Sequence, residues 1–145
     1  MADVTVKRLE EFEGIFGGGM RRVRAGLGVS SFGMQVIELP PSFTMYPLHD
    51  HSHDQQEEVY TALSGAATLM VDEQEFRLEP GVFARVGPGP RRKLITEGEG
   101  VRLLCLGGTP GRAYEAPEWT EEGGAAPQLS HEAKESSGPE APTAL

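Results

Sequence analysis

The stretch YPLHDHSHDQQEEVYTALSG, residues 46–65, carries His49, His51 and His53 at every second position, with Glu57 and Glu58 shortly after. Imidazole nitrogens and carboxylate oxygens are the donors that divalent metal ions take from proteins. Two histidines and one carboxylate hold such an ion and leave coordination positions open. Open positions are what a metal needs to bind substrate, water or oxygen. Along a strand, residues two apart share a face, so His51 and His53 are expected to point together. His49 joins them if the strand reaches back that far. Glu58 follows an expected turn at DQQE and opens the next strand, where Glu58, Tyr60 and Ala62 share one face and Val59, Thr61 and Leu63 the other. The competing reading is plain: histidines at this spacing also occur as chance clusters on exposed loops.

These residues need a frame, and the surrounding pattern is one of short apolar runs. RRVRAGL (21–27), GMQVIEL (33–39), EEVYTAL (57–63), AATLMV (66–71), EFRL (75–78), VFARV (82–86), KLIT (93–96) and VRLLCLG (101–107) are the expected strands. Turn residues separate them, among them PP at 40–41, SG at 64–65, PG at 80–81 and GPGP at 87–90. Short strands punctuated this often predict an all-β sandwich or barrel. Residues 1–20 read as an N-terminal arm, with a short helix or irregular segment at 5–16 broken by GGG at 17–19. The barrel is expected over 21–112, and 113–145 is a C-terminal segment, disordered from about residue 120 and including His131. That tail holds too few large apolar side chains to offset its ordering entropy.

The chain has 145 residues, enough for one domain with one core. Its formal net charge is −9, of which −6 lies from residue 113 onward, from seven Glu and one Lys. No cationic surface suited to nucleic acid is expected. One cysteine, Cys105, excludes an internal disulfide framework, and a lone Cys in an apolar strand reads as a small buried hydrophobe. The N-terminus lacks the apolar stretch of a signal peptide, and no apolar run reaches a membrane span of roughly 20 residues. A soluble cytoplasmic protein is the expectation. Met34, Met45 and Met70 read as core residues, with the lining of an apolar pocket as the alternative, and Tyr114 and Trp119 as pins holding the C-terminal segment to the barrel. A phosphate loop and a serine hydrolase site both lack support.

HSHDQQEEVYTALSG resembles the first motif of the cupin superfamily, G-x5-H-x-H-x3,4-E-x6-G. His51, His53, Glu58 and Gly65 match it, and Met45 stands where its opening Gly falls. The second motif, G-x5-P-x-G-x2-H-x3-N, aligns with GVFARVGPGPRRKLIT, residues 81–96. Gly81 and Gly89 match; Gly87 replaces Pro, Arg92 replaces the ligating His, and Thr96 replaces Asn. The resemblance spans about residues 20–110 and implies a small single-domain jelly-roll barrel (the double-stranded β-helix of cupins), commonly paired as a homodimer. It also implies a divalent metal inside the barrel, Fe, Mn, Ni or Zn, held by His51, His53 and Glu58 with His49 as a further ligand. Some similar proteins have lost the metal and simply bind ligands.

Arg92 makes the outcome open. Guanidinium is always charged, cannot ligate a metal, and suits carboxylates. In one arrangement it stands beside the metal and clamps an anionic substrate, with Tyr60 as a second ligand-binding residue or as filler of the barrel. In another it pairs with Glu58 directly. In a third, a one-residue shift leaves Arg91, Arg92 and Lys93 as a solvated basic face. The function expected is that of a metal-binding cupin acting on a small, anionic molecule by dioxygenase, isomerase or hydrolase chemistry. The competing class is a non-catalytic sensor or ligand-binding barrel, metal-free, with Arg92 holding an anion.

Overall fold

The computed structural model describes residues 2–128. After an irregular arm with a 3-10 turn at Leu9–Glu11, the strands are β1 (Gly14–Ile15), β2 (Met20–Arg21), β3 (Gly33–Leu39), β4 (Glu57–Gly65) and β5 (Ala67–Val71). They continue with β6 (Gln74–Leu78), β7 (Phe83–Val86), β8 (Arg92–Ile95) and β9 (Val101–Gly108). One sheet runs β1-β2-β3-β9-β4-β7 and the other β6-β5-β8. All pairings are antiparallel. The strands are the all-β arrangement that the turn spacing predicts, in the jelly-roll form that the resemblance implies.

One expected strand differs. RRVRAGL enters β2 for only its first residue and then forms the helix α1 (Val23–Leu27), closed by Gly28 in the left-handed region at φ 81. Arg22 and Arg24 are buried there rather than alternating outward. Arg22 Nη2 donates to the carbonyls of Trp119 at 2.5 Å and Gly124 at 2.6 Å. Arg24 donates to Val29 O at 3.0 Å and pairs with Glu121 at 2.9 Å. The C-terminal segment is thereby tied down as far as Gly124, with Thr120 fully buried. Most of the tail expected from about residue 120, His131 included, lies outside the described residues.

The core follows the period-two pattern. On β9, Val101, Leu103 and Cys105 point inward while Arg102 points out. Leu103 lies between Ile37 of β3 and Ala62 of β4, and Cys105 faces Tyr60. Gly65, which closes the first motif, ends β4 at φ 72, and a Cβ there would stand 2.0 Å from the carbonyl oxygen of Gly100. Only glycine fits that contact and that backbone.

Candidate metal centre

Glu58 opens β4 with its side chain directed into the barrel, where it is fully buried. Its Oε1 accepts from the Tyr60 hydroxyl at 2.6 Å and from Arg92 Nη1 at 3.0 Å. His51 Nε2 lies 3.2 Å and His49 Nε2 3.7 Å from the same oxygen. The other oxygen, Oε2, lies 3.7 Å from Cys105 Sγ. Burial alone raises a carboxyl's pKa, but contact with His49 and His51 outweighs it, so Glu58 sits well below the usual carboxylate range. The same burial and the Glu58 anion push the Tyr60 hydroxyl and Cys105 thiol upward, so both remain protonated.

The second motif positions the first. His49 and Arg92 pair across an antiparallel bridge, exchanging backbone hydrogen bonds of 3.1 and 2.8 Å. The His51 amide donates to Pro88 O at 2.9 Å, in the loop before β8. Thr96, at the end of the second motif, holds the loop after β3: the Phe43 amide donates to its hydroxyl at 2.9 Å.

Each histidine is fixed by its Nδ1. That of His49 lies 3.1 Å from Pro47 O, and that of His51 lies 3.0 Å from Asp54 Oδ1. Carbonyl and carboxylate oxygens only accept, so each Nδ1 carries a proton and each Nε2 is turned inward. Both Nε2 atoms are buried and face Glu58 Oε1, at 3.7 Å from His49 and 3.2 Å from His51, without a hydrogen bond of good geometry. A ligating histidine is oriented in this way, its outer nitrogen held by an oxygen and its inner one turned to the site. One donor atom each from His49, His51 and Glu58 lie within 4.8 Å of one another. That is close to the spread that three donors roughly 2.0–2.2 Å from one ion allow. The donor set fits a divalent metal.

His53 lies elsewhere. Residues 51–55 form a turn rather than a strand, with Gln55 at φ 59 and its amide on His51 O at 2.7 Å. The alternation that would align His51 with His53 is therefore absent. The His53 side chain is 51% exposed and lies 3.5 Å from Asp54 Oδ2, with its ring stacked 6.0 Å from that of His51. Position 49, set by the bridge to Arg92, supplies the second imidazole of the group instead.

Arg92 is fully buried, which excludes the solvated basic face. Nη1 binds Glu58, and Nη2 donates to Gly87 O. Of the arrangements weighed for this residue, the direct pairing with Glu58 is the one present. Tyr60 lies with Glu58 rather than open to a ligand. The motif pattern reveals none of this, because it marks position 92 only as a missing histidine.

The profile described as Cupin domain matches residues 35–107, half of the chain. The chain belongs to the cupin family. Among solved structures it is similar to a cupin protein from Bacteroides fragilis, at 18% identity and TM-score 0.61, covering 81% of this chain and 93% of that one. It is also similar to a sugar phosphate isomerase from a cupin superfamily of Silicibacter pomeroyi, at 20% identity and TM-score 0.57, covering 71% and 74%. At these identities the likeness establishes the fold alone. No curated protein matches the chain.

This cupin also has a cavity of about 690 Å3 beside the group. Its wall includes Phe16, Met20, Ile37, Phe43, Tyr46 and Trp119. His49, His51 and Glu58 do not line it. Tyr46 connects the two regions: it lines the cavity, and its ring centroid is 6.0 Å from that of His49. Met45, expected in the core, is on the cavity wall. Among the described residues, no helix is long and apolar enough to cross a membrane.

Proposed function

We propose that this cupin holds one divalent metal ion through His49, His51 and Glu58 and acts on a small molecule that enters the barrel. The observation that carries the reading is the convergence of two buried Nε2 atoms on the Glu58 carboxylate, each ring held at Nδ1 by an oxygen. When bound, such an ion supplies a Lewis acid with open positions, suited to dioxygenase, isomerase or hydrolase chemistry. The chain's own part is positional. Asp54 and the Pro47 carbonyl orient the two imidazoles. Tyr60 and Arg92 hold the Glu58 carboxylate in place. The anionic character expected of the substrate depended on a free Arg92, and that guanidinium is bound to Glu58 and Gly87. A cytoplasmic homodimer with no nucleic-acid or membrane partner completes the reading, supported by the acidic charge and by the prevalence of two-fold pairing.

A second reading is favoured by the 3.0 Å bond from Arg92 to Glu58. There the guanidinium takes the place of the metal's charge, and the barrel is a metal-free ligand-binding or sensor module. Metal content per chain separates the two. Purification without chelator, followed by plasma mass spectrometry, is expected to give near-stoichiometric metal in the wild type and in His53→Ala. The metal is expected to be lost in His49→Ala and His51→Ala. No metal in the wild type after loading with Fe(II), Mn(II), Ni(II) and Zn(II) would leave the second reading standing.

A further inference from the structure

The apolar cavity has features that the metal group does not explain. Its volume, about 690 Å3, is that of a site for a small organic molecule. Four aromatic rings, Phe16, Phe43, Tyr46 and Trp119, are on its wall. Its lip is the segment after β1, where Phe16, Gly17 and Gly18 all have positive φ, at 54, 65 and 93. Glycine adopts this backbone freely, but a bulky aromatic residue does so rarely, and such conformations cluster at ligand-binding positions. The ring so placed lies 6.1 Å from that of Trp119 across the mouth.

Charge on the wall is confined to Glu38 and Arg102, which are bonded to each other at 3.0 Å. A carboxylate or phosphate entering the cavity would leave water without a free cation to meet it, and that desolvation is costly. Tyr46 contributes to the wall, but its hydroxyl is fully buried and lies within the field of Glu58, Cys105 and Arg92, so it offers the cavity no donor.

We propose that this cavity binds an uncharged, aromatic or similarly flat apolar molecule. Its flat body lies among Phe16, Phe43, Tyr46 and Trp119. The inference deepens the proposed small-molecule function by naming a ligand class, but binding in the cavity requires no metal.

Trp119, the chain's one tryptophan, reports on the site directly. Acetophenone, benzoate and ethylbenzene are titrated into metal-free and metal-loaded full-length protein, with calorimetry and Trp119 fluorescence as readouts. Acetophenone and ethylbenzene are expected to bind and shift Trp119 emission in both forms, with benzoate at least about tenfold weaker. Tyr46→Phe, which keeps the ring and removes only the buried hydroxyl, is expected to leave both acetophenone and ethylbenzene unchanged. Benzoate binding as tightly as acetophenone, or no Trp119 response to any of the three, overturns the ligand class. Loss of acetophenone but not ethylbenzene in Tyr46→Phe overturns the purely apolar character of the site. Absence of metal would sink the metalloprotein reading while leaving these titrations unaffected.

Discussion

The barrel has two unlike halves that meet at Tyr46. On one side, Glu58, Tyr60, Arg92, His49, His51 and Cys105 form a buried polar cluster; on the other, an aromatic cavity has its charges paired at the wall. In the polar half a full negative charge is buried, so its neighbours decide whether it is tolerated. In the apolar half shape and area dominate, and single polar contacts matter less. Strands β4 and β9 reach both: Glu58, Tyr60 and Cys105 belong to the cluster, while Ser64, Val101 and Arg102, further along the same strands, line the cavity. The contrast predicts that substitutions of similar size will have very different costs in the two halves.

The largest effect is expected at Arg92. Removing its guanidinium leaves Glu58 buried with one strong donor fewer and removes the bond to Gly87 O. Truncating one partner of a buried ion pair costs about 3–5 kcal/mol. Arg92→Ala is therefore expected to lose about that much stability in the metal-free protein, measured by urea unfolding. Added metal should restore part of it if His49, His51 and Glu58 bind an ion, since a ligand that binds only the folded state stabilises it. A loss below about 1 kcal/mol would mean the buried pair is worth no more than an exposed one.

The next effect is pH dependence, centred on the buried groups of the polar half. Glu58 has its pKa lowered from 4.5, so the stability it contributes is present above that value and is lost as pH falls below it. His51 has its pKa raised from 6.5, since the Glu58 and Asp54 carboxylates outweigh burial, which favours the neutral ring. Its contribution is present below 6.5 and is lost as pH rises through the raised native value. Metal-free protein should therefore be most stable in the mildly acidic range. Below 4.5 stability should fall by about 1.4 kcal/mol per pH unit for the one proton that Glu58 resists, until its native pKa is reached. Thermal melts across this range test it, with Glu58→Gln as the control that should flatten the acid limb. A wild-type profile with no acid limb would contradict the lowered Glu58 pKa.

Much of this was legible in the sequence, for reasons that can be located. VRLLCLG alternates cleanly, and it is the strand β9 with Val101, Leu103 and Cys105 inside. Gly65 is marked by the motif, and the contact with Gly100 O explains it. RRVRAGL failed because Arg22 and Arg24 are buried by partners near residue 120, far away in sequence. The histidines are harder still. H-x-H spacing is silent on whether the backbone at 51–55 extends or turns, and the turn carries His53 out to solvent. His49 enters the group through its bridge to Arg92, a pairing across 43 positions of chain that no local pattern encodes. The cavity was illegible for the same reason: Phe16, Phe43, Tyr46 and Trp119 come from separate segments.

The smallest effect is expected in the apolar half, at the wall pair of Glu38 and Arg102. Both side chains are partly exposed, at 36% and 46%, so solvent screens their 3.0 Å contact. Exposed pairs of this kind are worth about 0–1 kcal/mol. Arg102→Met keeps the apolar stem against the cavity and removes the charge, so its unfolding free energy should change by less than about 1 kcal/mol. Benzoate should bind no better to it than to wild type, because the guanidinium is already engaged by Glu38. Were benzoate affinity in the wild type to depend on Arg102, the cavity would be an anion site after all, and the contrast between the halves would fail at its rim. Measured beside Arg92→Ala, this substitution removes the same guanidinium from the other half of the barrel. The gap between the two costs then reports what burial adds to a single Arg–Glu bond.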